Sequence, residues 1–296
     1  MTPIRQTLII TNPKAATLHS SGAKKAVRAA ARIPGVLILE TQYAGHAGDF
    51  CRAHGDDFGK VIAVGGDGLL MDVANALIGK NIPLAPLPAG SGSDFAKALP
   101  GHPCRLADLL TSDRVIHADV GKAHFTDGSS QIFLTEAGTG IDAACLRLMP
   151  HWLRSLSAKR AYDIGAIRAI LTYQPFEAAV KIDDRPLELS RVWIAAVCNT
   201  RFCGDGIPIA PNAEVDDGQL HVCLVSDISR TTLLRKFPRV RKGTHTTIEG
   251  VTYRDCASVE IDAPTVNEMC IDGDHVPKSP TRWEILPAAL PITIPA

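Results

Sequence analysis

The sequence predicts an α/β chain in two parts: an amino-terminal three-layer α/β domain followed by a carboxy-terminal β-sandwich. Three observations carry this expectation. Apolar, β-branched runs alternate with helix-like segments up to about Val120, glycine clusters punctuate that alternation, and beyond it the segments become short, β-rich and separated by turn residues. The length agrees, since 296 residues exceed what one hydrophobic core of about 250 residues comfortably fills.

Taken in order, Thr7–Ile10 is a buried-strand run stopped by Asn12-Pro13, and Val36–Leu39 is the next. Between them Ser21–Arg32, rich in Ala, Lys and Arg and ending before Pro34, reads as a helix. The rhythm repeats with strand Val61–Val64, a glycine cluster, helix Leu69–Ile78, strand Pro83–Leu87 and a second glycine cluster. Such alternation builds a parallel sheet covered by helices on both faces. The later strands expected are Gln131–Thr135, Ala178–Ile182, Arg191–Val197, Gln219–Val225, Ser258–Ile261 and Met269–Ile271, with turns at Asp183-Asp184 and Asp216-Asp217-Gly218. This half predicts antiparallel pairing in a sandwich, interrupted by one helical insertion over about 143–171.

Composition excludes several classes. With 46% hydrophobic and 21% charged residues the chain is too apolar to be disordered. Lys plus Arg and Asp plus Glu both number 31, so no overall field draws it onto nucleic acid. The eight cysteines are scattered through apolar runs without zinc spacing, which reads as a reducing cytosol. No signal-peptide pattern and no apolar run of about 18 residues is present, so the expectation is a protein neither secreted nor membrane-spanning. The ten histidines show no metal-ligand spacing, and no G-x-S-x-G elbow supports a serine hydrolase.

The chemistry-bearing motifs begin with Gly65-Gly66-Asp67-Gly68 between a strand and a helix. Backbone N–H groups in such a turn approach an anion at the positive end of the helix dipole, so phosphate is the expected guest. A plain tight turn needing glycine for positive φ stands beside that reading at even odds. Asp67 among phosphate-binding glycines makes sense if Mg²⁺ lies between them. Gly90-Ser91-Gly92-Ser93-Asp94 also follows a strand and opens a helix, and two such turns at one sheet edge point to a nucleotide. The P-loop, the dinucleotide fingerprint and the protein-kinase signatures are all absent. Asp272-Gly273-Asp274 and Asp216-Asp217-Gly218, taken alone, read as turns.

Together with Thr11-Asn12-Pro13, Pro88–Ala96, Ile209–Ala213 and Ile271–Asp274, these motifs run nearly the whole length of the chain in a fixed order. On them the sequence resembles the diacylglycerol kinase catalytic domain family of lipid kinases, related to sphingosine and ceramide kinases and distantly to NAD kinases. The resemblance implies the NAD kinase/diacylglycerol kinase-like fold, with domain one over 1–122 completed by a returning segment 286–296, and a β-sandwich over 123–285. It implies ATP-dependent phosphorylation of a lipid hydroxyl, with Asn12, Thr41, Gly65, Gly66, Asp67, Gly68 and Ser91 at the nucleotide. Asp274 stands where the family has its catalytic glutamate, and Asp67 and Asp119 are the other implied catalytic acids. Asp217, with the main-chain carbonyls of Glu214 and Gln219, corresponds to a structural Mg²⁺ site. Gly68-Leu69 and Pro88–Gly92 tilt the acceptor from diacylglycerol toward a sphingoid base or ceramide. Asp272 beside Asp274 is expected to raise the pKa of an acid there.

Two basic stretches bear on the membrane. Ile228–Lys242 holds six cations and no acid, and Arg147–Arg168 holds five cations and one acid among Trp152, Leu153, Leu156, Tyr162, Ile164 and Ile167. Such patches suit an anionic lipid surface, and a solvated helix face is the plainer alternative. The expected protein is therefore cytoplasmic and peripheral at the inner membrane surface, with ATP and Mg²⁺ as cofactors, a lipid acceptor as partner, and a homodimer left open. A kinase of a soluble metabolite such as NAD and a non-catalytic nucleotide-binding regulator are the alternatives.

Overall fold

A computed structural model describes residues 6–13, 21–89, 93–150, 152, 157–187 and 189–296. The chain divides into two compact units, one of Met1–Ala118 with Ala288–Ala296 and one of Asp119–Pro287.

In the first unit, β1 (Gln6–Thr11), α1 (Ser21–Ala30), β2 (Val36–Glu40), α2 (His46–His54), β3 (Phe58–Gly65), α3 (Asp67–Leu77) and β4 (Leu84–Pro88) follow one another. Short helices α4 (Asp94–Ala98) and α5 (Leu106–Thr111) come next. The strands pair in the order β2-β1-β3-β4, all parallel, and the end of β16 (Pro280–Thr293) joins parallel to β4 with Ile292 opposite Leu84. Both faces are covered, which explains why the strands read as unbroken apolar runs. Ile9, Ile62 and Ala85 pack against Val27 and Ala30 of α1 and Leu106 and Leu109 of α5. Successive side chains alternate, so the equally buried Leu8, Ile10, Val61 and Ala63 face the other way.

The sequence reading omitted α2. Its residues, His-Ala-Gly-Asp-Phe-Cys-Arg-Ala-His, show no apolar stripe, and only Ala47, Gly48 and Cys51 are buried. The helix exists because Gly45 takes φ 87° at its amino end and donates its N–H to Asp72 Oδ2 of α3 at 3.0 Å. Helix α3 begins at Asp67, two residues before the expected start.

The second unit is a β-sandwich. One sheet is antiparallel in the order β12 (Val251–Cys256), β11 (Leu220–Ser226), β10 (Val192–Cys198), β7 (Glu136–Gly140), β14 (Met269–Ile271) and β15 (Asp274–Val276). The facing layer is formed by β5 (Val115–Phe125), β6 (Ser130–Phe133), β8 (Ala179–Ile182), β9 (Arg185–Leu187), β13 (Ser258–Asp262) and the first part of β16. Phe133, Val180, Val259 and Trp283 from this layer meet Val197, Val222, Leu224 and Met269 from the other in one core. The described part of the helical insertion includes α6 (Ile141–Leu148) and α7 (Ala158–Thr172), and α8 (Arg230–Val240) covers the same face through Leu233, Trp193 and Ile170. Leu153 and Leu156 lie outside the described residues. No helix among the described residues is long and apolar enough to cross a membrane.

Candidate functional site

The predicted nucleotide residues of the first unit share the carboxyl edge of its parallel sheet. Thr11 pairs with Glu40 and with Val64, and Gly65 pairs with Pro88, so Asn12, Thr41, Gly66 and Ala89 are the residues that follow four adjacent strand ends. The ladder continues one step: Thr41 N–H donates to Thr11 O at 2.9 Å and Ala89 N–H to Gly65 O at 2.9 Å. The chain leaves β1 toward β2 on one side and returns to β3 on the other, which makes this the crevice where ligands enter open α/β sheets. Ser91, with Gly90 and Gly92, lies outside the described residues.

The glycines between β3 and α3 divide by cause. None of Gly65, Gly66 and Gly68 has positive φ, so the tight-turn explanation fails. A Cβ on Gly65 would lie 2.6 Å from Leu69 Cδ2, so packing accounts for that glycine. At Gly66 and Gly68 a Cβ would meet nothing within 4 Å. Among the described residues neither backbone conformation nor packing demands glycine there, and the space in front of both is open. Asp67 is the first residue of α3, where an acid and the helix N–H groups lie side by side.

In the second unit Asp272, Asp119 and Asp217 are each tied to the backbone by hydrogen bonds. Asp272 and Gly273, with φ 48° and 82°, form the two-residue turn between β14 and β15, in which Ile271 pairs with Asp274. Positive φ at both central positions explains the Asp-Gly pair. The turn is also more than a turn. Asp272 Oδ2 accepts from Leu134 N–H at 2.8 Å, and Oδ1 accepts from Thr135 N–H at 2.7 Å, Thr135 Oγ1 at 2.5 Å and Glu136 N–H at 3.1 Å. Burial pushes the Asp272 carboxyl above the ordinary carboxylate range, and these four donors pull it back. Asp274 itself is exposed, on β15. The expectation set Asp272 beside Asp274 to raise the pKa of an acid there. The structure half-buries Asp272 and exposes Asp274.

Asp119 lies within β5 and is 2% exposed. Its Oδ2 accepts from Gly218 N–H at 2.6 Å and its own N–H donates to Val215 O at 2.8 Å, which ties it to the loop carrying Asp217. Asp217 closes that loop: Oδ1 accepts from Gln219 N–H at 2.9 Å, and Oδ2 from Glu214 N–H at 3.1 Å and from His221 Nε2 at 2.9 Å. Among the described residues no group of three or more His, Cys, Asp or Glu side chains converges as a metal cluster.

Several participants gave no motif in the sequence. Asn199, fully buried after β10, donates through Nδ2 to Asp119 O at 3.0 Å and Leu134 O at 2.9 Å. Glu136 is 3% exposed, and it and half-buried Asp142 converge on Gly138, where a Cβ would lie 2.5 Å from Asp142 Oδ2 and 2.9 Å from Glu136 Oε1. Burial first, then the Asp142 charge, pushes Glu136 well above its ordinary value. His221 was legible only as an i,i+4 partner of Asp217.

Much of the basic charge is spent internally. Arg230 donates to the carbonyls of Ile170, Leu171 and Tyr173 and lies over Trp193, Arg241 pairs with Asp163, and Arg147 pairs with Glu268. Arg235 and Lys242 are exposed, as are the apolar side chains of Trp152, Ile167 and Leu171.

A parallel α/β unit with an open glycine turn at its carboxyl edge is thus followed by a β-sandwich carrying hydrogen-bonded acids. Residues 6–123 match the diacylglycerol kinase catalytic domain, and residues 135–294 match the YegS C-terminal NAD kinase beta sandwich-like domain. The chain belongs to this family of lipid kinases. It is 30% identical to a diacylglycerol kinase of Mycobacterium tuberculosis over 97% of this chain and 94% of that one. It is 26% identical to a YegS-like lipid kinase of Shewanella frigidimarina over 82% and 79%. Among solved structures a diacylglycerol kinase from Bacillus anthracis superposes with a TM-score of 0.75 at 25% identity, covering 99% of this chain and 98% of that one. An NAD kinase from Archaeoglobus fulgidus, solved with ATP, shares the fold at a TM-score of 0.52 and 12% identity over 98% and 93%.

Proposed function

We propose that this chain transfers the γ-phosphoryl group of ATP to the hydroxyl of a lipid acceptor, diacylglycerol, ceramide or a sphingoid base, at a membrane surface. The observation that supports the nucleotide half is the pair Gly66 and Gly68, where a Cβ would meet nothing within 4 Å among the described residues. Asn12, Thr41, Gly65, Gly66, Gly68 and Ser91 are assigned to the nucleotide. Mg²⁺ bound with ATP supplies charge neutralisation along the phosphates, and Asp67, beside them at the start of α3, is its protein oxygen ligand in this reading.

On the acceptor side, the lipid hydroxyl oxygen forms a bond to the γ-phosphorus while the bond from that phosphorus to the bridging oxygen breaks and ADP leaves. Asp274 orients the hydroxyl and takes its proton. Asp119 is the third assigned acid, and its buried carboxylate holds the loop at Gly218. Exposure of Asp274 suits a group that must meet an incoming substrate. Exposed Trp152, Ile167 and Leu171, with Arg235 and Lys242 free for anionic headgroups, support peripheral contact with the bilayer.

The loop of Glu214, Asp217 and Gln219 is proposed as a second, structural Mg²⁺ locus. Its oxygen donors are of the type Mg²⁺ takes, although the Asp217 carboxylate already accepts three N–H bonds and a cation there would compete with His221.

The test incubates the purified full chain with Mg-ATP and, separately, diacylglycerol, ceramide, a sphingoid base and NAD, and follows product mass. A lipid heavier by one phosphoryl group supports the proposal. Phosphorylated NAD alone would replace the lipid with a soluble acceptor, and nucleotide binding without any product would leave a regulator.

A further inference from the structure

Residues 134–136 connect β6 to β7, and every main-chain polar group in this stretch is held by just two side chains and their neighbours. On the donor side the N–H groups of Leu134, Thr135 and Glu136 all point to the Asp272 carboxylate, joined by the Thr135 hydroxyl. On the acceptor side Leu134 O takes the Asn199 side-chain amide, Thr135 O takes the main-chain N–H groups of Asn199 and Thr200 at 2.8 and 3.3 Å, and Glu136 O takes Asp272 N–H at 2.9 Å. The same Asn199 amide reaches Asp119 O.

Backbone groups at the end of a strand ordinarily find partners in the sheet ladder. Here the ladder continues through Asn199 N–H to Thr135 O and Asp272 N–H to Glu136 O, and a half-buried carboxylate from one hairpin and a buried amide from another strand end take the remaining groups. A plain Asp-Gly turn gains nothing from such burial, since the positive φ values alone would make it. What the arrangement achieves is rigidity. The turn that carries Asp274 two residues on is fastened at three consecutive N–H groups, and the strand that carries Asp119 is fastened to the other side of the same segment.

We infer that Asp272, Thr135 and Asn199 are positioning residues, a bracket around 134–136 that fixes where Asp274 and Asp119 present their carboxylates. This rests on the assignment of Asp274 to the acceptor hydroxyl. None of the three touches substrate in this account. They act on turnover through geometry, because a carboxylate that must meet a hydroxyl in line with a phosphorus loses about 10²-fold when misplaced by about 1 Å.

The experiment measures kcat for lipid phosphorylation, KM for Mg-ATP and melting temperature in the full chain for Thr135→Val, Thr135→Ser and Asp272→Asn. Thr135→Val removes only the hydroxyl bond and keeps the shape of the residue. It should lower kcat by about tenfold while KM for Mg-ATP stays within about twofold and the fold survives, and Thr135→Ser should restore kcat by returning the hydroxyl. Asp272→Asn, which replaces one acceptor oxygen with an NH₂ group facing the Leu134 N–H or the Thr135 and Glu136 donors, should lower kcat further. Should Asp272→Asn fail to fold, the Thr135 pair still decides. Wild-type kcat in Thr135→Val overturns the inference, and so does a parallel fall of kcat, ATP affinity and stability that serine does not repair. A wild-type chain that phosphorylates no lipid overturns the functional reading instead, before any variant is compared.

Discussion

The glycine turn of the first unit and the acid network of the second solve opposite problems. At Gly66 and Gly68 the chain leaves space in front of its backbone, and no side chain of the described residues comes within 4 Å of it. Around Asp272 and Asn199 each main-chain N–H and C=O of 134–136 has a protein partner. The difference teaches how a phosphotransferase divides its labour: the nucleotide end needs unoccupied N–H groups, and the acceptor end needs a carboxylate held still.

The comparison breaks most visibly at Asp67. If its carboxylate serves Mg²⁺ at the phosphates, Asp67→Asn should cut turnover by about 10³-fold with the melting temperature unchanged. Steady-state kinetics beside a thermal melt would check this, and an active variant would remove Asp67 from the site.

Gly68 sharpens the contrast in a second way. Gly68→Ala puts a methyl into the space kept for ligand while improving an exposed helix position, so it should raise stability by about 0.5–1 kcal/mol and weaken Mg-ATP binding at the same time. Calorimetric titration of ATP settles it, and unchanged affinity would return Gly68 to a structural role.

In the filled region Asp217→Ala should remove three hydrogen bonds from the 214–221 loop and lower the melting temperature by about 5 °C. Loss of any stabilisation by Mg²⁺ without nucleotide in the same variant supports the cation locus, and an equal Mg²⁺ response in both proteins sinks it.

The smallest effect concerns Glu136. Its folded pKa lies above the unfolded value, so the native state binds the extra proton and loses stability as pH rises from about 4.5 through the raised value. Glu136→Gln carries no such penalty. Its stability should match wild type in acid and exceed it increasingly toward about pH 8, read from melts across that range. A difference independent of pH would contradict the raised pKa of Glu136.

The fold was legible because its signals are local. Apolar runs such as Leu8–Ile10 and Val61–Val64 lie in strands buried on both faces, and turn pairs such as Asp183-Asp184, with φ 48° and 63°, mark the hairpins. The helix His46–His54 was not legible, because it depends on Gly45 and Asp72 across 27 positions instead of an apolar stripe. In the site, the motifs located Gly66, Asp217 and Asp272 without revealing what each does. A carboxylate that reaches back over 136 to 138 positions to three N–H groups leaves no local trace. Asn199 was hidden for the same reason, although a polar residue directly after the buried run Val192–Cys198 is a signal worth weighing.

The division of labour is tested most directly by measuring Mg-ATP affinity and lipid phosphorylation on one preparation of Asp274→Ala. If the first unit holds the nucleotide and Asp274 serves the acceptor hydroxyl, ATP should bind within about twofold of wild type while phosphorylated lipid falls by about 10³-fold or more. Full lipid phosphorylation in that variant, or ATP affinity lost along with it, would contradict the account.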